Sequence, residues 1–357
     1  MLKLEYKNYQ LDFKFEAGTS RGKLREHPIW ILKIADNAHT AISGYGEAAP
    51  LSGLSPESFE EVGDKLITVA KDIQQYDLPK DEHQVFHIVN QLVSQEFPSL
   101  VFGLQVALLD LLHGGKRKIF SNDFFEEKRN LKINGLIWMG DPEFMKSQID
   151  EKLDAGFKCI KIKVGAIDFE EELKIIEYLR TKSPKAIIRL DANGGFANNE
   201  VFKKLNTLSQ YDIHSIEQPI LPGQFEAMQL ICQKSPIPIA FDEELILVKG
   251  KSAKLELLKY TKPSFLVLKP TLLGGIQETR EWMELANMMQ VSWWMTSALE
   301  SNIGLNAITQ FAAQFESPMH QGLGTGSLYH NNIKSPLAIH GEYLTYDAKY
   351  GWDIPEI

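Results

Sequence analysis

The chain has 357 residues, long enough for two domains or for one large barrel with an addition. Hydrophobic residues make up 44% and charged residues 24%, proportions that exclude a disordered, collagen-like or coiled-coil chain. With 38 basic and 47 acidic side chains the net charge is −9, which disfavours nucleic acid or an anionic membrane as a partner and favours a small molecule.

From Met1 to Phe15 the chain alternates apolar and polar residues (Leu2, Leu4, Tyr6, then Tyr9, Leu11, Phe13, Phe15), the period of a strand. It lacks the continuous apolar block of a signal peptide, and no run approaches the roughly 18 residues of a membrane span, so a cytoplasmic location is expected. Helical spacing follows at Pro56–Ile73 and Glu82–Glu96. The stretches Gly18–Gly22 and Gly44–Gly53 are rich in turn residues, and the loops around Ser20 and Gly46 are expected to act as lids. Residues 1–103 therefore read as an α+β capping unit.

From Leu104 a helix leads into short apolar strands alternating with amphipathic helices, the pattern of a parallel sheet. Strands are predicted at Ile133–Met139, Lys158–Val164, Ile187–Asn193, His214–Pro219, Ile237–Glu243, Phe265–Pro270, Val291–Ser297 and Met319–Leu323. Eight strands at this spacing suit a closed (β/α)8 TIM-type barrel over residues 104–325, in an α/β protein. Asp168, with Glu171 three residues on, marks the start of one of its helices. Residues 326–357 are too few for another unit and are predicted to return to the capping domain.

Five consecutive strands end in a charged residue beside a Gly, Pro or Asn: Lys163, Asp191, Glu217, Asp242 and Lys269, spaced 25 to 28 residues apart. Because side chains alternate along a strand, Lys161 and Lys163 share one face while Ile160, Ile162 and Val164 share the other. The same parity aligns Arg189 with Asp191 and Asn193, and Ser215 with Glu217, so the charges converge on the barrel mouth, where barrel active sites lie. Buried ions need partners, and five in phase compensate one another. Asp191, Glu217 and Asp242 form an all-oxygen site for a hard divalent cation, Mg²⁺ or alternatively Mn²⁺. A lysine flanks the carboxylates on either side, which suits removal of a proton next to a substrate carboxylate.

These motifs resemble the enolase superfamily in its muconate-lactonizing branch, a superfamily whose lysine or histidine base working beside Mg²⁺ is a standard case. The resemblance rests on Lys161-Ile162-Lys163, Asp191-Ala192-Asn193, Glu217-Gln218-Pro219, Asp242-Glu243 and Lys269-Pro270, and covers nearly the whole chain. Trp293 to Ser301 holds no histidine, which sets the chain apart from mandelate-racemase-like members. Within the branch, Ser297–Leu305 and Gly322–Gly326 are most similar to members that dehydrate a succinyl-hydroxycyclohexadiene carboxylate to o-succinylbenzoate, towards menaquinone. The resemblance implies Lys163 as base and then acid, and Lys269 as electrostatic stabiliser of the enediolate. Lys161 and Asn193 are implied as supports, and Ser297 and Gly324 as substrate contacts. Dipeptide epimerases of the branch carry Asp-x-Asp where this chain has its Gly-rich segment, whose N–H groups would suit a carboxylate. Racemisation of N-acylamino acids or epimerisation of dipeptides is the alternative within the superfamily, a barrel that binds Mg²⁺ and an anion without turnover is the alternative outside it, and association into a homo-oligomer is compatible with all of these.

Other signals are set aside. His83 and His87 have a metal-compatible spacing but no third ligand nearby. Gly322-x-Gly324-x-Gly326 does not match a dinucleotide loop. Of Trp293 and Trp294 at least one is expected in the core, and Cys159 and Cys232 are expected to be buried thiols.

Overall fold

The N-terminal alternation is realised as a long antiparallel hairpin, β1 (Leu2–Thr19) with β2 (Gly22–Asp36), to which β3 (Ser43–Ala48) adds on the β2 side. The structure is a computed structural model that describes residues 1–19, 22–38 and 41–357. Leu2 and Leu4 are buried in one core cluster, and Leu11, Phe13 and Ala17, of the opposite parity along the strand, in another. Three helices follow: α1 (Phe59–Asp72), α2 (Glu82–Leu92) and α3 (Pro98–Leu112). α1 begins with a capping box in which Glu61 N donates to Ser58 Oγ at 3.1 Å and Ser58 N to Glu61 Oε2 at 2.8 Å.

α3 starts at Pro98 rather than at Leu104, because proline suits the first helical turn. It is apolar on every side and packs between β3 and the helices of the following unit. The second predicted lid is corrected here: Gly44 and Gly46 are strand residues, not a mobile loop. A Cβ on Gly44 would lie 2.0 Å from Ala107 O, and one on Gly46 2.0 Å from Gly103 O, so these glycines bring β3 against α3.

β4 (Leu131–Lys132) is followed by seven parallel strands in spatial order of sequence. They are β5 (Gly135–Ile137), β6 (Cys159–Lys163), β7 (Ile187–Asp191), β8 (Ile213–Glu217), β9 (Ile239–Phe241), β10 (Phe265–Leu268) and β11 (Ser292–Met295). The eighth predicted strand, Met319–Leu323, is instead a bridging segment that closes the ring on both sides. Gly322 N donates to Met295 O at 2.8 Å and Gln321 N to Lys132 O at 2.8 Å, with parallel bridges to Thr296 and Ile133. Regular pairing stops at Gly322, where any Cβ would sit 2.0 Å from Thr296 Oγ1.

Asp168 caps the helix Phe169–Lys182, accepting from Glu170 N and Glu171 N. After the ring, Tyr329 bridges Phe13, and His330 N donates to Asp12 O at 2.9 Å on β1. The hairpin β12 (Leu337–His340) with β13 (Tyr343–Tyr346) then pairs with β4, away from the N-terminal sheet. Among the described residues no helix is long and apolar enough to cross a membrane.

Candidate active site

The strand register sets the site. Lys163 pairs with Asp191 and Asp191 with Glu217, so three charged side chains form a row across β6, β7 and β8 at their C-terminal ends. Asp242 and Lys269 stand just beyond β9 and β10 and each leads into a short helix. Ile160, Ile162 and Val164 lie in the hydrophobic core, while Lys161 and Lys163 face the interior. Asn193, two residues beyond β7, and Gln218, directly after β8, have φ of 44° and 40°. This left-handed backbone ends both strands abruptly; Asn tolerates it, and Gln218 is tied by a bond to Glu244 Oε2 at 2.9 Å.

Lys161 Nζ lies 2.9 Å from Asp191 Oδ2 and also bonds Glu217. Lys163 Nζ donates to Asp191 Oδ2 at 3.1 Å and to Asn193 Oδ1 at 2.8 Å. At the far end Lys269 Nζ donates to Asp242 Oδ2 at 2.6 Å. Asn193 Nδ2 continues the network to Glu243 Oε1 at 2.9 Å. All of these side chains are buried.

Burial differentiates the lysines. It opposes the charge on Lys161, but Asp191, Glu217 and Asp242 outweigh it and hold that ammonium well above the usual range. Lys163 is shifted down, because burial, Lys161 and Lys269 together exceed the pull of Asp191. Lys269 is shifted up: burial is outweighed by Asp242 and Glu243. Asp191 lies far below the usual carboxylate range, since Lys161, Lys163 and Lys269 overcome its burial. Burial pushes Glu217 up to about 7 and Asp242 up to about 6.

One oxygen from each of Asp191, Glu217 and Asp242 lies within 4.8 Å of the others. Glu217 Oε1 and Asp242 Oδ1 are buried without a hydrogen-bond partner, a costly state that a hard cation would relieve. These three residues therefore fit a divalent metal. Ionisation of Glu217 and Asp242 is required for metal binding. Both hold their protons to higher pH folded than unfolded, so their contribution destabilises the metal-free protein as pH rises from about 4 to about 7. The thermal shift produced by Mg²⁺ is expected to be larger at pH 8 than at pH 5.5. Equal shifts at the two pH values would show that these carboxylates are not the ligands.

Above the carboxylates is a cavity of about 340 Å³. Lys161, Lys163, Asp191, Asn193, Lys269, Ser297 and Gly324 all border it. Glu217 and Asp242 lie at its floor through their contacts with Lys161 and Lys269. The Ser297 hydroxyl is already engaged, donating to Glu300 Oε2 at 2.6 Å and accepting from Leu299 N at 2.9 Å. Sequence reasoning missed Trp138, whose ring centroid is 5.5 Å from Lys163 Nζ, and Leu299, whereas Leu51, Ser52 and Gly53, at the end of the predicted Gly44–Gly53 stretch, do line the cavity together with Leu54. Pro50, Ser52 and Gly53 are the turn residues that signal this segment in the sequence. Gly22, Lys23 and Leu24 also line the cavity, while Ser20 and Arg21, at the centre of the first predicted lid, lie outside the described residues.

The remaining candidates are elsewhere. His83 and His87 are exposed on α2. Trp294 stacks on Arg189 at 3.9 Å inside the barrel, and Trp293 packs on Phe315. Cys159 is a buried free thiol; Cys232 is free but only half-buried.

A parallel barrel under a strand-rich cap, with carboxylates and lysines at its C-terminal mouth, defines a class of metal-assisted proton-transfer proteins. The chain belongs to the enolase superfamily: residues 145–354 match the family described as enolase C-terminal domain-like. It is 39% identical to an o-succinylbenzoate synthase of Desulfotalea psychrophila, over 96% of this chain and 98% of that one. An L-Ala-D/L-Glu epimerase of Thermotoga maritima is 25% identical, covering 100% of this chain and 97% of that one. Among solved structures, MenC from Desulfotalea psychrophila superposes with a TM-score of 0.84 at 36% identity, over 96% and 99% of the two chains. The fold is shared equally by an L-Ala-D/L-Glu epimerase of Bacillus subtilis, with a TM-score of 0.85 at 18% identity and 99% of each chain covered.

Proposed function

We propose that this protein is a metal-dependent lyase that converts 2-succinyl-6-hydroxy-2,4-cyclohexadiene-1-carboxylate to o-succinylbenzoate and water. The observation that carries the reading is the pair of lysines at the two ends of the carboxylate row, Lys163 on Asp191 and Lys269 on Asp242, with only Lys163 shifted towards its neutral form. Similarity over nearly full length to an o-succinylbenzoate synthase supports the choice of substrate. In this reading residues 1–103 cap the site, 104–325 form the barrel, and of the tail 326–357 the segment at Tyr329–His330 returns to the N-terminal sheet while the hairpin Leu337–Tyr346 stays on β4.

Asp191, Glu217 and Asp242 would hold Mg²⁺, which would supply Lewis-acid stabilisation of charge on the substrate carboxylate. Lys163 Nζ takes the proton from the carbon bearing the carboxylate, and the C–H electron pair moves into the enediolate. The fixed charge of Lys269 stabilises that anion from the other end of the row. The electrons then return to form the ring double bond, the neighbouring C–O bond breaks, and Lys163 returns its proton to the departing hydroxide on the same face. Lys161, permanently charged, neutralises Asp191 and Glu217, and Asn193 orients Lys163 through its 2.8 Å bond. Gly324 would face the substrate.

Turnover of the diene carboxylate by the purified protein, followed by absorbance, should require Mg²⁺ and be abolished by EDTA. An inert protein under these conditions would overturn the assignment. The two-lysine arrangement also suits racemisation of N-succinyl amino acids, in which one lysine removes the α-proton and the other returns one on the opposite face. Deuterium incorporation at the α-carbon of both enantiomers in D₂O would establish that second activity.

A further inference from the structure

Leu299 has φ of 71°, a left-handed conformation that a bulky side chain rarely adopts. Such strain persists only where the surroundings impose it, and it concentrates at ligand-contacting segments. The surroundings here are explicit. Leu299 N donates to Ser297 Oγ at 2.9 Å, and Leu299 O accepts from the Tyr329 hydroxyl at 2.6 Å. Ala298 N donates to Glu300 Oε2 at 2.8 Å, and the Thr271 hydroxyl donates to the other oxygen of Glu300.

The next residues are anchored from the N-terminal sheet. Glu47, on β3, accepts from Ser301 N at 2.8 Å and from Gly304 N at 2.9 Å, and the Ser301 hydroxyl donates to the same carboxylate. These groups lie at the N-terminus of the helix Asn302–Ala312, where a carboxylate is favoured. Glu47, Glu300 and Ser301 are fully buried. A Cβ on Gly304 would meet Glu300 Cβ at 2.7 Å, so that glycine lets the Glu300 side chain pack against the first turn.

Neither Glu47 nor Glu300 takes part in the proton transfer or the metal site, yet two carboxylates are buried to hold one bend. A glycine at 299 would make the same bend without strain. The leucine keeps its side chain on the cavity wall, beside Leu51 and Trp138. We propose that Leu299 is a specificity-determining residue that contacts the apolar ring or acyl chain of the carboxylate substrate. Glu47 is the positioning residue through which the N-terminal sheet holds it in place. This rests on the reading of the cavity as the site of proton abstraction.

The test compares intact protein with Leu299→Ala, Leu299→Gly and Glu47→Gln, using turnover of the diene carboxylate and calorimetric binding of o-succinylbenzoate. Leu299→Gly should melt above Leu299→Ala, the reverse of the usual order, because glycine alone relieves the strain. Leu299→Ala should raise KM and the product Kd at least about tenfold while kcat changes less than about threefold. Glu47→Gln puts an amide N–H against N–H donors and should raise KM similarly. The double variant should show little further rise, since the two act on one wall. An intact protein that works, with Leu299→Ala unchanged in KM and Kd, or with the two effects multiplying, would overturn this proposal alone. An intact protein that neither turns over nor binds would overturn the functional reading, and this one with it.

Discussion

Lys163→Ala is expected to lower kcat/KM by about 10²- to 10⁴-fold or more, the range that a positioned acid–base group contributes. Its amine is within reach of both Asp191 and Asn193 and borders the cavity, and no histidine stands in the Trp293–Ser301 segment to replace it. The unaltered protein should also reveal this base in its pH profile. Only the neutral amine accepts a proton, so kcat/KM rises with pH and levels off once Lys163 has lost its own. Burial, Lys161 and Lys269 all lower that transition below the value of about 10.4 for a free lysine. Exchange of the substrate α-proton with solvent deuterium should vanish in Lys163→Ala, while Lys269→Ala should be impaired in turnover through loss of the enediolate's counter-charge. A Lys163→Ala protein with activity within tenfold of the original would rule out this lysine as the base.

Glu217→Ala is expected to abolish metal-dependent turnover and to weaken Mg²⁺ binding by more than the roughly 10- to 100-fold that loss of an outer partner of a metal ligand costs. Glu217 is central in the row, with Asp191 in register on one side and Asp242 beyond β9 on the other. One of its oxygens bonds Lys161 and the other has no partner. The apo protein should nevertheless fold, because Lys161 keeps Asp191 at 2.9 Å and the variant removes a carboxylate whose charged form burial already disfavours. Calorimetric titration with Mg²⁺ or Mn²⁺, alongside a melting curve of the apo protein, separates loss of the ligand from loss of the fold. Unchanged Mg²⁺ affinity in a folded Glu217→Ala protein would remove the metal from this position.

The strand ends were readable because their signal is local. A period of two places Lys161 and Lys163 on one face whatever surrounds them, and spacings of 25 to 28 residues repeat once per strand and helix. The eighth strand was misread for the opposite reason: Met319–Leu323 has the composition of a strand, but Gly322 must pass close to Thr296 Oγ1, so only isolated bridges form. Gly44 and Gly46 carry the same ambiguity, since a glycine that frees a turn and one that admits a neighbouring helix look identical in sequence.

By itself the sequence determined the barrel, the charged row and the kind of cation it suits, because alternation and repeat length act through neighbouring residues. Tertiary structure alone decided which lysine is driven towards neutrality, since that depends on burial and on charges brought from strands up to 106 positions apart, Lys163 to Lys269. It also decided the upper wall of the site. Trp138, Leu51 and Leu299 meet there only when the N-terminal sheet docks on the barrel, and Glu47 reaches Ser301 across 254 residues of chain. No local pattern records such a contact, because its cause is the packing of segments distant in the chain rather than the preference of any one of them.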